Sequence, residues 1–441
     1  MGTTTLGPTS DLVHLPASQP PCLLCNSFAS VEIPDRVKPC TSAATRHGAI
    51  SVGMVAICPI YYQVPLYRQL AADPRLRFTA IFASDAGVRP GDFGYGEHVA
   101  WTKDLLSGYH SVFLRRAGRN LAYGRSWSIV GSDVFPLVLR SKFDVVWLHG
   151  YSYVTQMLAL AAQRLRGGAV MFREEQTLIH GRGGLKSAVK ELALRALFRD
   201  GPAMYLGTES RRWFEHYGVP RDRMSFTPYA IENLEHAAAV DAARARRGQL
   251  RTELGLALDH PVLLTVSRLA ANKQPLALLE AFRMVRERVR CSLLIVGSGE
   301  LEGELRRAVE QRDIPDVVFA GFVDRERIAD VYAVADAFVL FSRLHETWGL
   351  VVNEAMAASL PVVASDACGS ATDLLRDGYN GFVVDRDDVG ALADRLERLL
   401  VDGDLRQRMG RESRELIDRF TYDAAAEGVV LAAQLAMGSA T

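Results

Sequence analysis

The length of the chain predicts more than one folded core, because 441 residues exceed what a single domain of ordinary size holds. Hydrophobic residues make up 49% and charged residues 23%, a balance typical of a globular protein and not of a disordered one. Lysine and arginine (51) equal aspartate and glutamate (51), so the overall charge gives no support to a polyanionic partner, and we expect no nucleic acid.

The first 48 residues are rich in proline, serine and threonine, and we predict that residues 1–48 are a disordered leader. The alternative is a zinc site in which Cys22 and Cys25, spaced as Cys-x-x-Cys, bind together with His14 and His47. The leader lacks the basic and apolar regions of a secretory signal, and the chain has no run of 18 apolar residues. We therefore predict a cytoplasmic location and no transmembrane helix.

Short apolar runs alternate with helical patterns over residues 49–235, which predicts a parallel α/β sheet in an N-terminal domain. The first run is followed by YYQVPLYRQLAADP, which predicts a helix closed by Pro74. The strand-like runs are ISVGMVAICPI (50–60), RFTAIFAS (77–84), FDVVWLHG (143–150), GAVMFREE (168–175), AMYLGT (203–208) and MSFTPYAI (224–231).

A polar helical segment, residues 236–260, is predicted to connect this domain to a second one at residues 261–420. The second domain alternates more cleanly, which is typical of a doubly wound domain of Rossmann type. The pattern of residues 421–441 predicts a final helix. This helix is a candidate for crossing back to the N-terminal domain. The predicted strands are PVLLTVS, CSLLIVG, DVVFAGF, DAFVLF, PVVAS and GFVVD.

The two halves differ in charge, which supports the division into two domains. Residues 49–235 carry 23 basic and 16 acidic side chains, whereas residues 249–441 carry 22 and 31. Attraction across a cleft and unevenly solvated surfaces both explain the difference.

Two glutamates lie astride a predicted helix start in the second domain. Glu346 precedes the helix that begins near Gly349, and Glu354 lies about one and a half turns inside it. The first amides of a helix and its dipole favour an anion such as a diphosphate, while carboxylates accept hydrogen bonds from sugar hydroxyls. Taken alone, a helix-dipole partner and a solvated helix residue would explain both glutamates.

Two further groups are expected at the same sheet edge. Arg268 and Lys273 follow the first strand of the second domain, where both cations can converge on one phosphate pair. Gly297, Ser298 and Gly299 follow the next strand and form a turn that lets backbone approach a ligand. Together these groups predict a binding site for an anion that carries hydroxyl groups.

The order of motifs over residues 261–385 resembles the nucleotide-sugar domain of the retaining GT-B glycosyltransferases of family four. The resemblance implies an α/β fold of two Rossmann-like domains that face each other across a cleft, and a nucleoside-diphosphate sugar as donor. The motifs that carry it are VSRL…NK, VGSGE, FAGFV, YAVADAFVLFS, HETWGLVVNEAMA, PVVAS and CGSATDLLRDGYNGFVV.

The resemblance also implies roles for individual residues. Arg268 and Lys273 would bind the diphosphate, Glu346 would face the donor sugar, and Glu354 would bind the ribose. His149, at the end of the VVWL strand, would lie near the sugar, and a core histidine is the alternative. Backbone near the diphosphate and sugar would come from Thr347, Trp348, Gly349, Leu350 and Val351, and the base would lie near Phe322 and Val323.

The first half is similar to the acceptor domain of the same family in the segments CPIYYQVPLYRQL, WTKDLLSGY, VVWLHGYSY, FREEQ and YGVPRDRMSFTPYAIEN. Asp92, Trp101 and Tyr109 are the acceptor-side candidates, with structural roles as the alternative. The chain departs from the family pattern at Trp348, where phenylalanine is commoner. It departs again after the first strand, where Pro59, Tyr61, Tyr62 and Gln63 replace the usual glycine-rich loop.

Two other motifs bear on metal and membrane binding. Asp385 and Asp387 form an Asp-x-Asp pattern, but acidic residues are favoured before a helix start, so we expect no metal and no other cofactor.

The segment LKSAVKELALRALFRD places basic residues beside an apolar stripe. This pattern is typical of a peripheral membrane contact and also of a helix that packs on its own sheet. Its basic residues are Lys186, Lys190, Arg195 and Arg199.

The sequence therefore favours a retaining glycosyltransferase, of hexosyltransferase type, that moves a sugar from a nucleoside diphosphate to a hydroxyl acceptor. Glu346, His149, Arg268 and Lys273 are its candidate catalytic residues. A nucleotide-sugar epimerase or hydrolase on the same fold, and a catalytically silent sugar-nucleotide-binding subunit, are the alternatives.

Overall fold

A computed structural model of the chain describes residues 48–85, 88, 91–92, 98–99, 104–115, 130–178, 185–344 and 346–438. The leader predicted at residues 1–48 lies outside these ranges apart from its last residue, and so does the alternative zinc site. None of the helices in these ranges combines the length and the apolar character needed to span a bilayer.

The N-terminal half contains a parallel sheet with the strand order β5-β2-β1-β6-β7-β8-β9 in its described part. The predicted strands are confirmed, but β5 was not predicted, because none of its four residues is buried and they form no apolar run. A short antiparallel pair, β3 and β4, lies outside this sheet. The strands are β1 (Ile50–Ala56), β2 (Leu76–Phe82), β3 (Gly91–Asp92), β4 (His98–Val99), β5 (His110–Phe113), β6 (Val145–His149), β7 (Ala169–Arg173), β8 (Ala203–Tyr205) and β9 (Met224–Phe226).

Helices connect these strands and cover the sheet. The helix after β1 begins at Val64, because Pro65 is favoured in a first turn and the tyrosines before it form a turn. The helices of this half are α1 (Val64–Ala72), α2 (Val134–Ser141), α3 (Val154–Leu165), α4 (Leu185–Phe198) and α5 (Thr208–His216).

The C-terminal half contains a parallel sheet with the order β12-β11-β10-β13-β14-β15, which confirms the six predicted strands and the Rossmann-type topology. Buried apolar side chains lie on both faces of this sheet, as expected for strands covered by helices on each side. The strands are β10 (Val262–Val266), β11 (Ser292–Val296), β12 (Val317–Gly321), β13 (Ala337–Leu340), β14 (Val362–Ser365) and β15 (Gly381–Val384).

The segment between the two sheets forms α6 (Asn233–Arg244) and α7 (Arg247–Glu253), and both pack on the C-terminal half. Arg251 of α7 is buried and binds Asp336 at 2.7 Å, and Asp336 also accepts the amide of Val262. The remaining helices are α8 (Pro275–Arg286), α9 (Glu302–Gln311), α10 (Ile328–Val334), α11 (Leu350–Ala357), α12 (Ala371–Leu374), α13 (Val389–Val401), α14 (Gly403–Ile417) and α15 (Tyr422–Gly438).

The final helix, α15, packs against the N-terminal sheet. Its buried residues join the cluster that contains strands β1, β2 and β6. Tyr422 donates its hydroxyl to the carbonyl of Tyr62 at 2.8 Å. A Cβ atom at Gly428 would overlap the carbonyl of Phe226, so glycine is needed where the helix meets β9. The last helix therefore forms part of the hydrophobic core of the N-terminal half.

The two halves also share packed residues beside the cleft. Leu206 and Tyr229 of the first half belong to the same buried cluster as Trp348 of the second. The main-chain amide and the hydroxyl of Thr208 both donate to the carboxylate of Asp373, at 2.8 and 2.7 Å. These contacts fix the carboxyl edges of the two sheets beside one another.

Candidate functional site

A cavity of about 440 Å³ lies between the two halves, within the range that holds small molecules. It brings together ten of the predicted site residues and adds Tyr61 from the N-terminal half. The predicted residues that line it are Arg268, Lys273, Gly297, Phe322, Val323, Glu346, Gly349, Leu350, Val351 and Glu354.

The loop that carries Arg268 rests on the glycine turn after β11. Strands β10 and β11 are parallel neighbours, so their carboxyl ends meet at one edge. Leu269 donates its amide to the carbonyl of Ser298 at 2.9 Å. Gly297 has a φ of +123°, and a Cβ atom there would overlap the carbonyl of Ser267. The turn thus supports the arginine loop as well as bordering the cavity.

Lys273 and Glu346 form an ion pair at the cavity wall. Glu346 is buried, and its Oε2 also accepts the hydroxyl of Ser342 at 3.0 Å. Burial lowers the pKa of Lys273 to about 8; the charge of Arg268 acts in the same direction and Cys368 opposes it. An ammonium has three N–H donors, so Lys273 can bind Glu346 and an anion together.

The start of α11 faces the same cavity. Gly349 is its N-cap with a φ of +89°, a conformation that favours glycine, and Leu350 and Val351 open the helix beside it. The carbonyl of Glu346 accepts the amide of Gly369 at 2.9 Å, which fixes the preceding loop. The first turn of α11 therefore borders the same cavity as the two cations.

Glu354 is a buried residue, not a solvated one. Its Oε2 accepts the hydroxyl of Tyr332 at 2.8 Å, while the residue still borders the cavity. Because the tyrosine fixes this carboxylate, the arrangement is suited to a ligand with hydroxyl groups.

The side chain of Trp348 does not line the cavity but lies in the core. Its indole donates to Oδ1 of Asn353 at 2.9 Å, and Asn353 donates to the carbonyl of Tyr229 at 3.2 Å. Thr347 is half-buried beside it, and neither Thr347 nor Ser298 borders the cavity. Trp348 thus stands where phenylalanine is commoner, and its indole has a hydrogen-bond partner, Asn353, that the sequence pattern did not reveal.

His149 lies at the end of β6 and is not among the residues that line the cavity. Its ring stacks on Trp147 with centroids 5.9 Å apart, and its Nε2 lies 3.3 Å from Oε1 of Glu175. Burial lowers the pKa of His149, and Arg173 acts in the same direction, although Glu175 opposes the shift. Near neutral pH the imidazole is therefore uncharged.

Of the acceptor-side candidates, Tyr109 can be compared with the cavity, and it is not among the residues that line it. The hydroxyl of Tyr109 donates to the carbonyl of Leu105, and its ring packs on Tyr67. Asp92 lies in strand β3, and Trp101 lies outside the described ranges.

Sequence reasoning missed a contact across the cavity. The guanidinium of Arg325 lies over the ring of Tyr61 at 4.6 Å, and both residues border the cavity. Arg325 follows the FAGFV motif by two residues, which is the signal that could have identified it.

The turn that replaces a glycine-rich loop after β1 is held by a buried arginine. Arg173 donates a hydrogen bond to Gln63 at 2.8 Å and so fixes the turn that contains the tyrosines.

The Asp-x-Asp motif has internal partners. Asp387 pairs with Arg343 at 3.0 Å, and the carboxylate of Asp385 accepts the amide of Asp387 at 2.8 Å. Within the described ranges, no group of three or more His, Cys, Asp or Glu side chains is arranged to hold a metal ion.

The second half is similar to a known family. Residues 247–416 match the family model described as Glycosyl transferases group 1. The chain is 34% identical over 217 residues to a D-inositol 3-phosphate glycosyltransferase of Xylanimonas cellulosilytica, covering 48% of this chain and 52% of that protein. It is 30% identical over 274 residues to an alpha-D-kanosaminyltransferase of Streptomyces kanamyceticus, covering 62% and 65%. The alignments thus span less than two thirds of either relative.

Solved structures share the fold of almost the whole chain. A glycosyltransferase from Rickettsia africae superposes with a TM-score of 0.68 at 12% identity and covers 88% of this chain and 99% of its own. Anabaena HepE, solved in complex with UDP and glucose, gives 0.62 at 15% identity, covering 86% and 98%. Residues 247–416 therefore match the glycosyl transferases group 1 model, within a chain that has the two-domain GT-B fold.

Proposed function

We propose that the protein is a retaining glycosyltransferase that moves a sugar, of hexose type, from a nucleoside diphosphate to an acceptor hydroxyl. The observation that carries the proposal is the convergence of Arg268, Lys273, Glu346 and the start of α11 on one cavity. The UDP and glucose in HepE and the glycosyltransferase names of the relatives support a nucleotide-sugar donor.

The two cations and the helix amides bind the diphosphate. As the bond from the anomeric carbon to the diphosphate oxygen breaks, negative charge grows on that oxygen, and Arg268 and Lys273 stabilise it. The acceptor oxygen forms its bond to the same carbon from the same face, and its proton passes to the departing diphosphate. The chemistry needs no protein nucleophile and no metal.

The carboxylates orient the donor. Glu346, fixed by Lys273 and Ser342, accepts hydrogen bonds from the sugar hydroxyls. Glu354, fixed by Tyr332, accepts those of the ribose. Closure of the two halves excludes water and so suppresses hydrolysis of the donor.

A panel of radiolabelled nucleotide sugars tests the proposal. Label in a new glycoside, with its anomeric configuration kept, supports retaining transfer. Free altered sugar would favour the epimerase or hydrolase, and binding without turnover would favour the silent subunit. Either of these two outcomes overturns the proposal.

Two variants locate the activity in the cavity. We expect Arg268→Ala to lower kcat about 100-fold to 1000-fold, the usual loss when one stabilising donor is removed. We expect Glu346→Gln to reduce turnover more than nucleoside diphosphate binding, because the carboxylate faces the sugar. Arg290→Ala and Glu287→Gln are matched controls, since both side chains are well exposed, 72% and 63%.

We also propose that helix α4 is a peripheral membrane contact. Val189 and Leu192 lie one turn apart and are 70% and 73% exposed, so these two apolar side chains face outward. Exposed Arg195 lies on the same helix and exposed Arg199 directly follows it, and such a combination is suited to an anionic lipid surface.

A further inference from the structure

The carboxyl ends of β6 and β7 bring a histidine and a carboxylate together on the N-terminal side of the cleft. The two strands are parallel, with His149 opposite Arg173, and Glu175 follows two residues later. Oε1 of Glu175 lies 3.3 Å from Nε2 of His149. Ligands of parallel sheets bind at such carboxyl ends, so the pair occupies a position suited to a substrate.

The two members of the pair differ in access to solvent. The side chain of His149 is 13% exposed and that of Glu175 is 32% exposed. Nδ1 of His149 is shielded from solvent and has no hydrogen-bond partner among the described groups. The backbone carbonyl of His149 accepts a hydrogen bond from Gln156, and the ring stacks on Trp147, so the histidine is fixed from behind. The carboxylate is therefore the member that a ligand can reach.

The contact with Glu175 determines which ring nitrogen of His149 carries the proton. A carboxylate only accepts hydrogen bonds, so its partner nitrogen must carry hydrogen. Burial and the charge of Arg173 lower the pKa of His149, which favours the uncharged ring with a single proton. That proton then lies on Nε2, and Nδ1 is left without one.

We propose that Glu175 is the acceptor-binding carboxylate of this enzyme, and that His149 is the positioning residue that orients it through an Nε2–H hydrogen bond. The ligand class is an acceptor with several hydroxyl groups: a hydroxyl that does not react donates to Glu175, while the reacting hydroxyl bonds to the anomeric carbon and passes its proton to the departing diphosphate. The catalytic part of this inference rests on the proposed function. The arrangement of the pair does not.

Spectroscopy of the full chain tests the pair without any substrate. Nitrogen-15 spectra that correlate the ring nitrogens with their carbon-bound protons identify the tautomer of each histidine, and His149→Gln assigns the signal. We expect the Nε2–H tautomer in the wild type near pH 7. We expect Glu175→Gln to give a mixture of tautomers, because a glutamine amide can also donate to Nε2. An imidazolium, an Nδ1–H tautomer, or a signal unchanged in Glu175→Gln would overturn the pair.

Kinetics tests the role, using the donor selected by the nucleotide-sugar panel and glycerol, myo-inositol and methyl glucoside as acceptor probes. Glu175→Gln should lower kcat/KM for the acceptor about tenfold, as expected when a hydrogen bond to a charged group becomes a neutral one, and leave the affinity for the nucleoside diphosphate unchanged. His149→Gln, whose amide can still donate to Glu175, should retain more activity than His149→Leu. An effect of Glu175→Gln on the donor instead of the acceptor, or equal losses in the two histidine variants, would overturn the role.

A matched control is present on the same domain. His216 lies 3.8 Å from Glu191, and neither residue of this pair is among those that line the cavity. Glu191→Gln should change neither the His149 signal nor the rate. If no nucleotide sugar turns over at all, the proposed function fails, while the tautomer of His149 still decides whether the pair exists.

Discussion

Lys273 and Glu346 bind each other, although sequence reasoning assigned them to different parts of the donor. Because Lys273 keeps N–H groups available beyond the one that Glu346 accepts, the pair can orient the carboxylate towards the sugar and the ammonium towards the diphosphate. Burial of the pair also makes the lysine sensitive to pH, since its pKa lies at about 8.

We expect the affinity for UDP or GDP to fall about tenfold from pH 7 to pH 9. Below its pKa Lys273 is charged and binds the diphosphate; above it the neutral amine loses a charged hydrogen bond of about 1.5–3 kcal/mol. The bound anion raises the pKa of Lys273. The affinity therefore begins to fall near the pKa that the lysine has in the free protein and continues to fall at higher pH. Isothermal titration at several pH values measures this. Lys273→Ala should bind weakly at every pH, whereas a constant affinity in the wild type would contradict the prediction.

Trp348 and Asn353 form a hydrogen bond in the core, and we expect their substitutions to be coupled. Trp348→Phe removes the indole donor and leaves Oδ1 of fully buried Asn353 without it, at a cost of about 1–3 kcal/mol beyond lost packing. In urea unfolding, the Trp348→Phe/Asn353→Ala double variant should lose less stability than the two single variants summed.

Trp147→Phe is the matched control for that cycle. Trp147 is also fully buried, but its indole nitrogen has no partner among the described groups. It should therefore lose packing without losing a hydrogen bond. Equal effects of Trp147→Phe and Trp348→Phe, with strictly additive losses in the cycle, would show that the bond to Asn353 contributes nothing.

At the scale of elements, helix α4 has apolar residues on two sides. Leu194 and Phe198 face the core, while Val189 and Leu192 face outward. The sequence pattern alone could not separate packing from membrane contact, because it gives the spacing of apolar residues and not the neighbours on each side.

We expect the Val189→Ser/Leu192→Ser variant to bind vesicles that contain anionic lipid about tenfold more weakly than the wild type, since each exposed side chain loses apolar area that a bilayer would bury. Sedimentation with vesicles measures this, and neutral vesicles show the contribution of the arginines. Leu258→Ser is the control, because Leu258 is 63% exposed in the other half. Equal binding by the double variant and the wild type would exclude α4 as the contact.

At the scale of the whole molecule, one half of the protein caps a helix of the other. The N-cap of α5, Gly207, has no capping side chain, and Asp373 of α12 supplies a carboxylate to Thr208 from across the interface. A Cβ atom at Gly207 would press against Trp348, which lies in the loop that precedes α11. The position of the N-terminal half is thereby linked to that loop.

We expect Asp373→Ala to destabilise the protein by about 1 kcal/mol, as for other lost caps, and to speed hydrogen exchange at the first amides of α5. Asp388→Ala is the matched control, because Asp388 caps α13 within the C-terminal half by accepting the amide of Ala391 at 2.8 Å. That variant should lose similar stability while leaving α5 unchanged. Unaltered exchange in α5 of Asp373→Ala would refute a cap across the interface.

Local pattern alone identified the six strands of the C-terminal sheet and the residues of its carboxyl edge. Strands buried on both faces read as continuous apolar runs, and in a parallel sheet the residues that follow such runs necessarily share an edge. Arg268, Lys273 and Glu346 could therefore be grouped from the sequence alone. Strand β5 could not be found in this way, since four residues of which none is buried leave no periodic signal.

Only the tertiary structure decided which side chains meet across the chain. The ion pair of Lys273 with Glu346, the contact of Arg325 with Tyr61 and the approach of Glu175 to His149 join residues that are 73, 264 and 26 positions apart. Local propensity and periodicity report the environment of neighbouring residues, whereas such contacts depend on strand order and on the packing of the two halves. The sequence by itself determined the fold class and the site edge, and tertiary packing determined the partners of each charge.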